Sequence, residues 1–305
     1  MDAEHLNSFV RLSIEYGTPI LLAALGEIFA ERSGVLNLGL EGLVAVGGAV
    51  AFVVSLTTES PWLGIAAAVL AAAALSAVHA LVAVRLRGNQ VVSGLALTIV
   101  GMGLASLVAS KHVGLRGNPI EITVDLGPLG SVPLLGGLDR LDPIVYASML
   151  LSVALLLALF KTKLGLKVRA CGEDPAAAEA LGHDVLLTRM VTTVLGGATA
   201  GIAGSYVTLV MSPGWFEGIT AGRGWLAIGV VIFSSWNPLR ALVLSYVFGG
   251  LMQLRFVLAP YIGAGGVLLR SLPYLMVIVL LVVLSFEPLR RRSGAPESLG
   301  RPYPP

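Results

Sequence analysis

Three glutamates, one arginine and one asparagine fall within Leu25 to Gly48, LGEIFAERSGVLNLGLEGLVAVGG, and nearly everything around them is apolar. In hydrocarbon an ionisable side chain is costly unless it faces a polar interior or a partner. Glu27, Glu31, Asn37 and Glu41 therefore mark a stretch that lines or shapes a route, or that relays a proton or cation. Glu27 and Glu31 are one helical turn apart and share a face, whereas Arg32 is rotated about 100° from Glu31, so partners elsewhere in the fold are expected over a local ion pair. Two amides, Gln90 and Gln253, lie in or beside apolar runs and must find hydrogen bonds away from water, as pathway contacts or as glue between helices. Ser93, among the small residues Gly94, Gly101, Gly103 and Ser106, reads first as close helix packing. With Gln90 and Gln253 it is also where a site within the conduit is sought. The candidate pathway set is thus Glu27, Asn37, Glu41, Gln90, Ser93 and Gln253.

The elements that must position these side chains follow from composition. Of 305 residues 56% are hydrophobic and 12% charged, and the mean hydropathy is +0.87. One soluble core does not require so much apolar surface, and the fold class expected is an all-α, polytopic transmembrane bundle. Runs of about 20 apolar residues, the length that crosses hydrocarbon, number about nine, within a range of eight to ten. They are Ser13 to Ala30, Leu36 to Leu56, Trp62 to Val84, Val91 to Ser110, Pro143 to Phe160, Met190 to Met211, Arg223 to Ser235, Leu239 to Leu258 and Ser271 to Phe286. The seventh is short and the first two are polar, as broken or re-entrant helices are. Residues 1–287 form one transmembrane domain and 288–305 a cytoplasmic tail, Pro-rich and expected to be disordered. Gly197-x-x-x-Gly201, with Gly196, Ala200 and Gly204, offers the small face that lets membrane helices approach closely.

The net charge of +2 comes from Lys and Arg at the ends of apolar segments, not from a basic face, so nucleic acid is not an expected partner. Cys171 is the only cysteine and His5, His79, His112 and His183 are scattered, so neither a disulfide nor a metal centre is expected. The first residues lack a basic region followed by a cleavable apolar core; no signal peptide is read and the chain is expected to be retained whole. Lys161, Lys163, Lys167, Arg169 and Arg189, with Arg85, Arg87, Arg240 and Arg290 to Arg292, put the positive bias on one side, which predicts a cytoplasmic C-terminus and an external N-terminus. On that reading Lys111 to Asp142 is an external loop, an ordered cap or a cover over a pathway mouth.

Between two spans lies KTKLGLKVRACGEDPAAAEALGHDVLLTR, Lys161 to Arg189. Asp174 can accept from the first free amides of a helix, Pro175 suits its first position, AAAEAL propagates it, and Gly182 can take the left-handed turn that stops it. A helix of about two turns is predicted. Its small side chains, Ala177 and Ala178 among them, fit a helix seated in another protein's groove; a simple capped connector fits the spacing equally well. No G-x-x-x-x-G-K-[ST], H-E-x-x-H or G-x-S-x-G occurs, so neither ATP binding by a P-loop nor the corresponding hydrolase chemistry is expected. An enzyme would have only Glu41, Glu217, Arg223 and His79 to draw on, at spacings that match no known reaction.

GEIFAERSGVLNLGLEG at Gly26 to Gly42, NQVVSGLAL at Asn89 to Leu97, RACGEDPAAAEALG at Arg169 to Gly182 and GRGWLAIGVVIFSSWNPLRAL at Gly222 to Leu242 resemble a known family: the permease subunits of bacterial ABC importers of the branched-chain amino acid and simple-sugar class, most closely the nucleoside-import branch. The resemblance covers nearly the whole chain. It implies a non-catalytic permease in the bacterial inner membrane that pairs with a second, related permease, an ABC ATPase and a substrate-binding lipoprotein, in contact with membrane lipid. It also implies no cofactor in this chain, with ATP and Mg on the ATPase, and nucleosides as cargo, with simple sugars as the alternative. By the same resemblance, Gly172, Glu173, Asp174, Pro175, Ala177, Ala178, Glu179 and Gly182 look like the coupling helix that docks into the ATPase, and Asn37 and Glu41 like part of the translocation path. An ion-coupled secondary transporter using Glu27, Glu31 and Glu41 as a relay is the rival reading.

Overall fold

The computed structural model describes residues 3–127, 132–262, 269, 271–284 and 294–303. Helix starts are set by side chains three residues or fewer from the amides they satisfy. Ser60 accepts from Leu63 N at 3.4 Å, Asn89 from Val92 N at 3.1 Å, Asp142 from Ile144 N at 2.9 Å, Thr162 from Gly165 N at 3.1 Å, Asp174 from Ala177 N at 3.0 Å and Asp184 from Leu187 N at 2.8 Å. Proline follows the cap at Pro61, Pro143 and Pro175, where its missing N–H and fixed φ carry no penalty.

The helices are α1 (Ala3–Glu31), α2 (Leu40–Thr58), α3 (Pro61–Ala80), α4 (Gln90–Ala109), α5 (Pro143–Lys161), α6 (Lys163–Glu173), α7 (Pro175–Ala180), α8 (Val185–Tyr206), α9 (Arg223–Phe233), α10 (Pro238–Ile262) and α11 (Leu272–Leu284). Helices α3 and α8 continue as π-helical turns over Leu81–Arg85 and Val207–Met211. Seven helices among the described residues are long and apolar enough to cross a membrane: α1, α2, α3, α4, α5, α8 and α10. The expected spans Arg223 to Ser235 and Ser271 to Phe286 correspond to α9 and α11, of 11 and 13 residues. At 1.5 Å per residue, α9 reaches only about half way across a bilayer.

Helix α1 lies between α8 and α10, and α8 packs in turn on α2 and α3. The glycine face of α8 makes this possible: a Cβ on Gly201 would lie 2.5 Å from Ala68 O, and one on Gly204 would lie 2.1 Å from Val44 O. Backbones this close exchange side-chain volume for dispersion contact, which is how helices associate where lipid supplies no hydrophobic drive. Outward, Leu70, Ile99, Leu107 and Leu150 are at least 70% exposed, a surface suited to hydrocarbon rather than water. The stretch between α4 and α5 is ordered where described: Arg116 pairs with Gly214, Val124 with Leu141, and Asn118 Nδ2 donates to Ser55 O at 2.8 Å, capping that end of the bundle.

Residues 294–303 belong to the segment expected to be a disordered tail. They take a defined path against α6 and α7, held mainly by backbone carbonyl and hydroxyl hydrogen bonds that composition does not register. The basic cluster Arg290 to Arg292 lies outside the described residues.

Candidate functional site

Between α1 and α2 the chain runs without regular structure from residue 32 to 39, and most of that stretch is buried. Buried irregular backbone needs a partner for each polar group. Here side chains from four helices supply them. Glu27 Oε1 of α1 accepts from Asn37 N at 2.8 Å, and Gln90 Oε1 of α4 accepts from Leu36 N at 2.7 Å. Thr98 Oγ1 of α4 donates to Leu38 O at 2.8 Å, Arg189 Nε of α8 to Ser33 O at 2.9 Å, and Asn37 Oδ1 accepts from Gly39 N at 2.9 Å. His79 Nε2 of α3 meets Leu36 O at 3.1 Å. A carbonyl only accepts, so Nε2 carries the proton, and Nδ1 accepts from the Ser93 hydroxyl at 3.0 Å.

Glu27, Asn37, Gln90 and, through His79, Ser93 are therefore brought together around this loop. Glu27, Asn37 and Gln90 are 1–2% exposed. Ser93 differs: with His79 and Asn89 it forms the polar floor of a 410 Å³ groove between α3 and α4 whose walls are Leu75, Val78, Val82, Val92, Ala96, Leu97 and Val100. Gln253 stands apart on α10, buried, and its Nε2 finds no hydrogen-bond partner among the described residues.

Glu41, in the first turn of α2, caps a different helix. Its Oε1 accepts from Thr220 Oγ1 at 2.5 Å and Gly222 N at 3.0 Å, and its Oε2 from Gly224 N at 2.7 Å. Those amides are the unsatisfied donors at the N-terminus of α9, where the helix dipole also favours an anion. The approach requires glycine: Gly222 sits at φ +71°, and a Cβ on Gly224 would lie 2.4 Å from Glu41 Cα. Arg223 beside it donates Nη1 to Thr220 O at 2.9 Å and covers the Tyr16 ring at 5.8 Å.

At the end of α1, Glu31 and Arg32 find partners elsewhere in the fold, as their rotation apart on the helix predicts. Glu31 accepts from Trp236 Nε1, and Arg32 donates Nη2 to Ser235 O at 3.2 Å and Nε to Trp236 O at 3.3 Å. Ser235 and Trp236, both at φ +54°, form the turn between α9 and α10, so α1 grips that turn. Its guanidinium also lies 5.5 Å from the Phe160 ring.

The second candidate element has the local form its residues predict. Asp174 caps α7, Pro175 opens it, and Gly182 ends the turn at φ +83°. Glu173, Asp174, Ala177 and Glu179 are exposed, and Leu181 is 77% exposed. Ala178 is not available to a partner: at 1% exposure it packs against Cys171 and Val185. A run of alanines carries no periodicity from which its inward face could be read. Gly172 abuts the loop after α1, where a Cβ would lie 2.2 Å from Arg32 O. Arg189 joins the two regions: besides Ser33 O it reaches Cys171 O at 3.1 Å and Ser298 Oγ at 2.7 Å. Burial pushes the Cys171 thiol up, which disfavours the thiolate. Sequence reasoning counted Arg189 only as a topological charge and gave Trp236, Thr98, Thr220 and Ser298 no role. Their partners are remote in sequence, and only an arginine just inside an apolar helix hinted at one of them.

Curated proteins resemble this chain along nearly its full length. Guanosine ABC transporter permease protein NupQ of Bacillus subtilis is 31% identical, covering 98% of this chain and 97% of its own. Nucleoside ABC transporter permease protein NupC of Lactococcus lactis is 32% identical, covering 88% and 89%. TsgC13 of Haloferax volcanii, a candidate glucose ABC transporter permease, is 36% identical, covering 95% of both chains. No solved structure gives a significant match. The family model described as the branched-chain amino acid transport system permease component matches residues 12–285, and the chain, a multi-pass ABC transporter permease, belongs to that family.

Proposed function

We propose that this chain is the non-catalytic conduit of an ATP-driven importer in the bacterial cell membrane that carries nucleosides inward, with simple sugars as the second reading. The partners are a second, related permease, an ABC ATPase that binds ATP and Mg, and a substrate-binding lipoprotein; no cofactor resides in this chain. The α7 end faces the cytoplasm, as the positive bias of its loops supports. One observation carries the mechanism: α7, a pre-shaped helix with an exposed outer face, is joined through Gly172 and Arg189 to the 32–39 loop that α1, α3, α4 and α8 hold. A push on α7 reaches this loop without crossing a flexible linker, as alternating access about a central site requires.

Along the route, Ser93 and Asn89 present polar groups between apolar walls, with His79 orienting the Ser93 hydroxyl, a pairing that suits a sugar hydroxyl beside a flat base. Glu27, Asn37 and Gln90 act one layer behind, shaping the loop, and Glu41 acts by seating α9. Both carboxylates are committed to backbone donors, which disfavours an ion relay. Two relatives bearing nucleoside or guanosine names support the nucleoside reading, and the glucose name of the third supports the sugar reading. Uptake of labelled guanosine and glucose into proteoliposomes holding the whole importer decides between them: ATP-dependent guanosine uptake is expected. Uptake by this chain alone, driven by an ion gradient and indifferent to ATP, would overturn the reading.

A further inference from the structure

The segment 294–303 is tied by several hydrogen bonds to the region around α6 and α7. Ser298 donates its N–H and its hydroxyl to Gly172 O, at 3.0 and 2.6 Å, and accepts from Arg189 Nη2 at 2.7 Å. Glu297 N donates to Glu173 Oε2 at 3.3 Å, and Arg301 O accepts from Arg189 Nη1 at 3.3 Å. The Tyr303 hydroxyl donates to the Glu179 carboxylate on α7, and its ring packs with Ala178 and Cys171 and lies 5.9 Å from the Arg189 guanidinium carbon. At the other end Gly294 O accepts from Arg32 Nη1 at 3.2 Å. The segment thus bridges the end of α1, both α6 and α7, and the start of α8.

We propose that residues 294–303 are a strap that fixes α6 and α7 against the bundle, with Ser298 and Tyr303 as positioning residues of the coupling element. The inference rests on the coupling reading of α7 and adds a requirement to it. Six residues make a helix of about 9 Å that is not stable alone. The Asp174 cap and Gly182 stop fix its shape but not its place. Its inner face offers little apolar area beyond Ala178, so without the strap a force on the outer face would slide the helix instead of moving the 32–39 loop. Ser298 holds the α6 end and Tyr303 the α7 end.

The test uses the whole importer in proteoliposomes, with a chain ending at Arg292 and with Ser298→Ala, Ser298→Thr and Tyr303→Ala. Uptake per ATP hydrolysed is expected to fall about tenfold in the truncation, the range of typical coupling, with the ATPase still bound. Amide hydrogen exchange over residues 173–182 should rise, and Ser298→Thr, which keeps the hydroxyl, should behave as the unaltered chain while Ser298→Ala does not. If the truncated chain fails to insert, Ser298→Ala and Tyr303→Ala decide. Unchanged uptake per ATP in the strap variants overturns the strap, whether exchange rises or not. Ala177→Trp separates the two readings: uncoupling by it alone removes only the strap, whereas silence of Ala177→Trp as well removes the coupling reading beneath it.

Discussion

The 32–39 loop and the α6–α7 element are both short, polar interruptions in an apolar chain, yet they are held in opposite ways. The loop has almost no local support: apart from the turn that closes α1 and the Asn37–Gly39 bond, its amides and carbonyls are satisfied by Glu27, His79, Gln90, Thr98 and Arg189. Helix α7 is shaped by its own neighbours, Asp174, Pro175 and Gly182, and only then placed by Gly172, Arg189 and residues 294–303. The difference suits their proposed tasks. A loop tied to α1, α3, α4 and α8 feels any movement among them, whereas a locally capped helix keeps its shape once residues 294–303 and the bundle place it.

Arg189 is where the two regions meet, and its removal breaks the comparison most severely. Arg189→Met removes the donor to Ser33 O, Cys171 O, Ser298 Oγ and Arg301 O at once; since hydrogen bonds to a charged group contribute about 1.5–3 kcal/mol each, a loss of at least about 3 kcal/mol is expected, read as a large fall in thermal midpoint in detergent. Gly172→Val drives a side chain into Arg32 O and separates the regions from the other side, at about 1–3 kcal/mol, with α7 intact by hydrogen exchange but uptake reduced. Glu41→Leu leaves Thr220 and the amides of Gly222 and Gly224 without their acceptor. About 1–3 kcal/mol of stability should be lost and transport lowered, while Glu41→Gln, which keeps one acceptor, retains more of both. Wild-type uptake by Glu41→Leu would remove α9 seating from the mechanism. Asp174→Ala removes a helix cap worth about 1 kcal/mol and should fray α7 alone, visible as faster exchange over 175–180 with the loop unaffected.

The same contrast decides what could be read from the chain. Helix α7 was legible to the residue because caps act over three or four positions, and the long spans were legible because hydropathy is local. The loop's partners were not. Glu41 and Gly224 are 183 positions apart, and nothing near either names the other. Glu27, Asn37 and Gln90 were singled out as costly polar groups in hydrocarbon, which is sound physics, but cost does not say whether a group faces a route or ties a loop. Ala178 shows the limit within a legible element: the alanine run fixed the helix but not its buried side. For residues 294–303, Pro, Gly and Arg with little apolar area suggest disorder, and composition does not register the hydrogen bonds that Ser298 and the carbonyl groups make.

Cysteine crosslinking from position 177, on the exposed face of α7, to the partner ATPase in the assembled importer tests the central claim most directly. Buried Cys171 leaves the new thiol as the reactive one. The account predicts a crosslink whose yield changes with the nucleotide state, together with loss of coupled uptake in Ala177→Trp at a change in this chain's stability within about half a kcal/mol, as befits an exposed site. No crosslink in any nucleotide state, with normal uptake by Ala177→Trp, would contradict it.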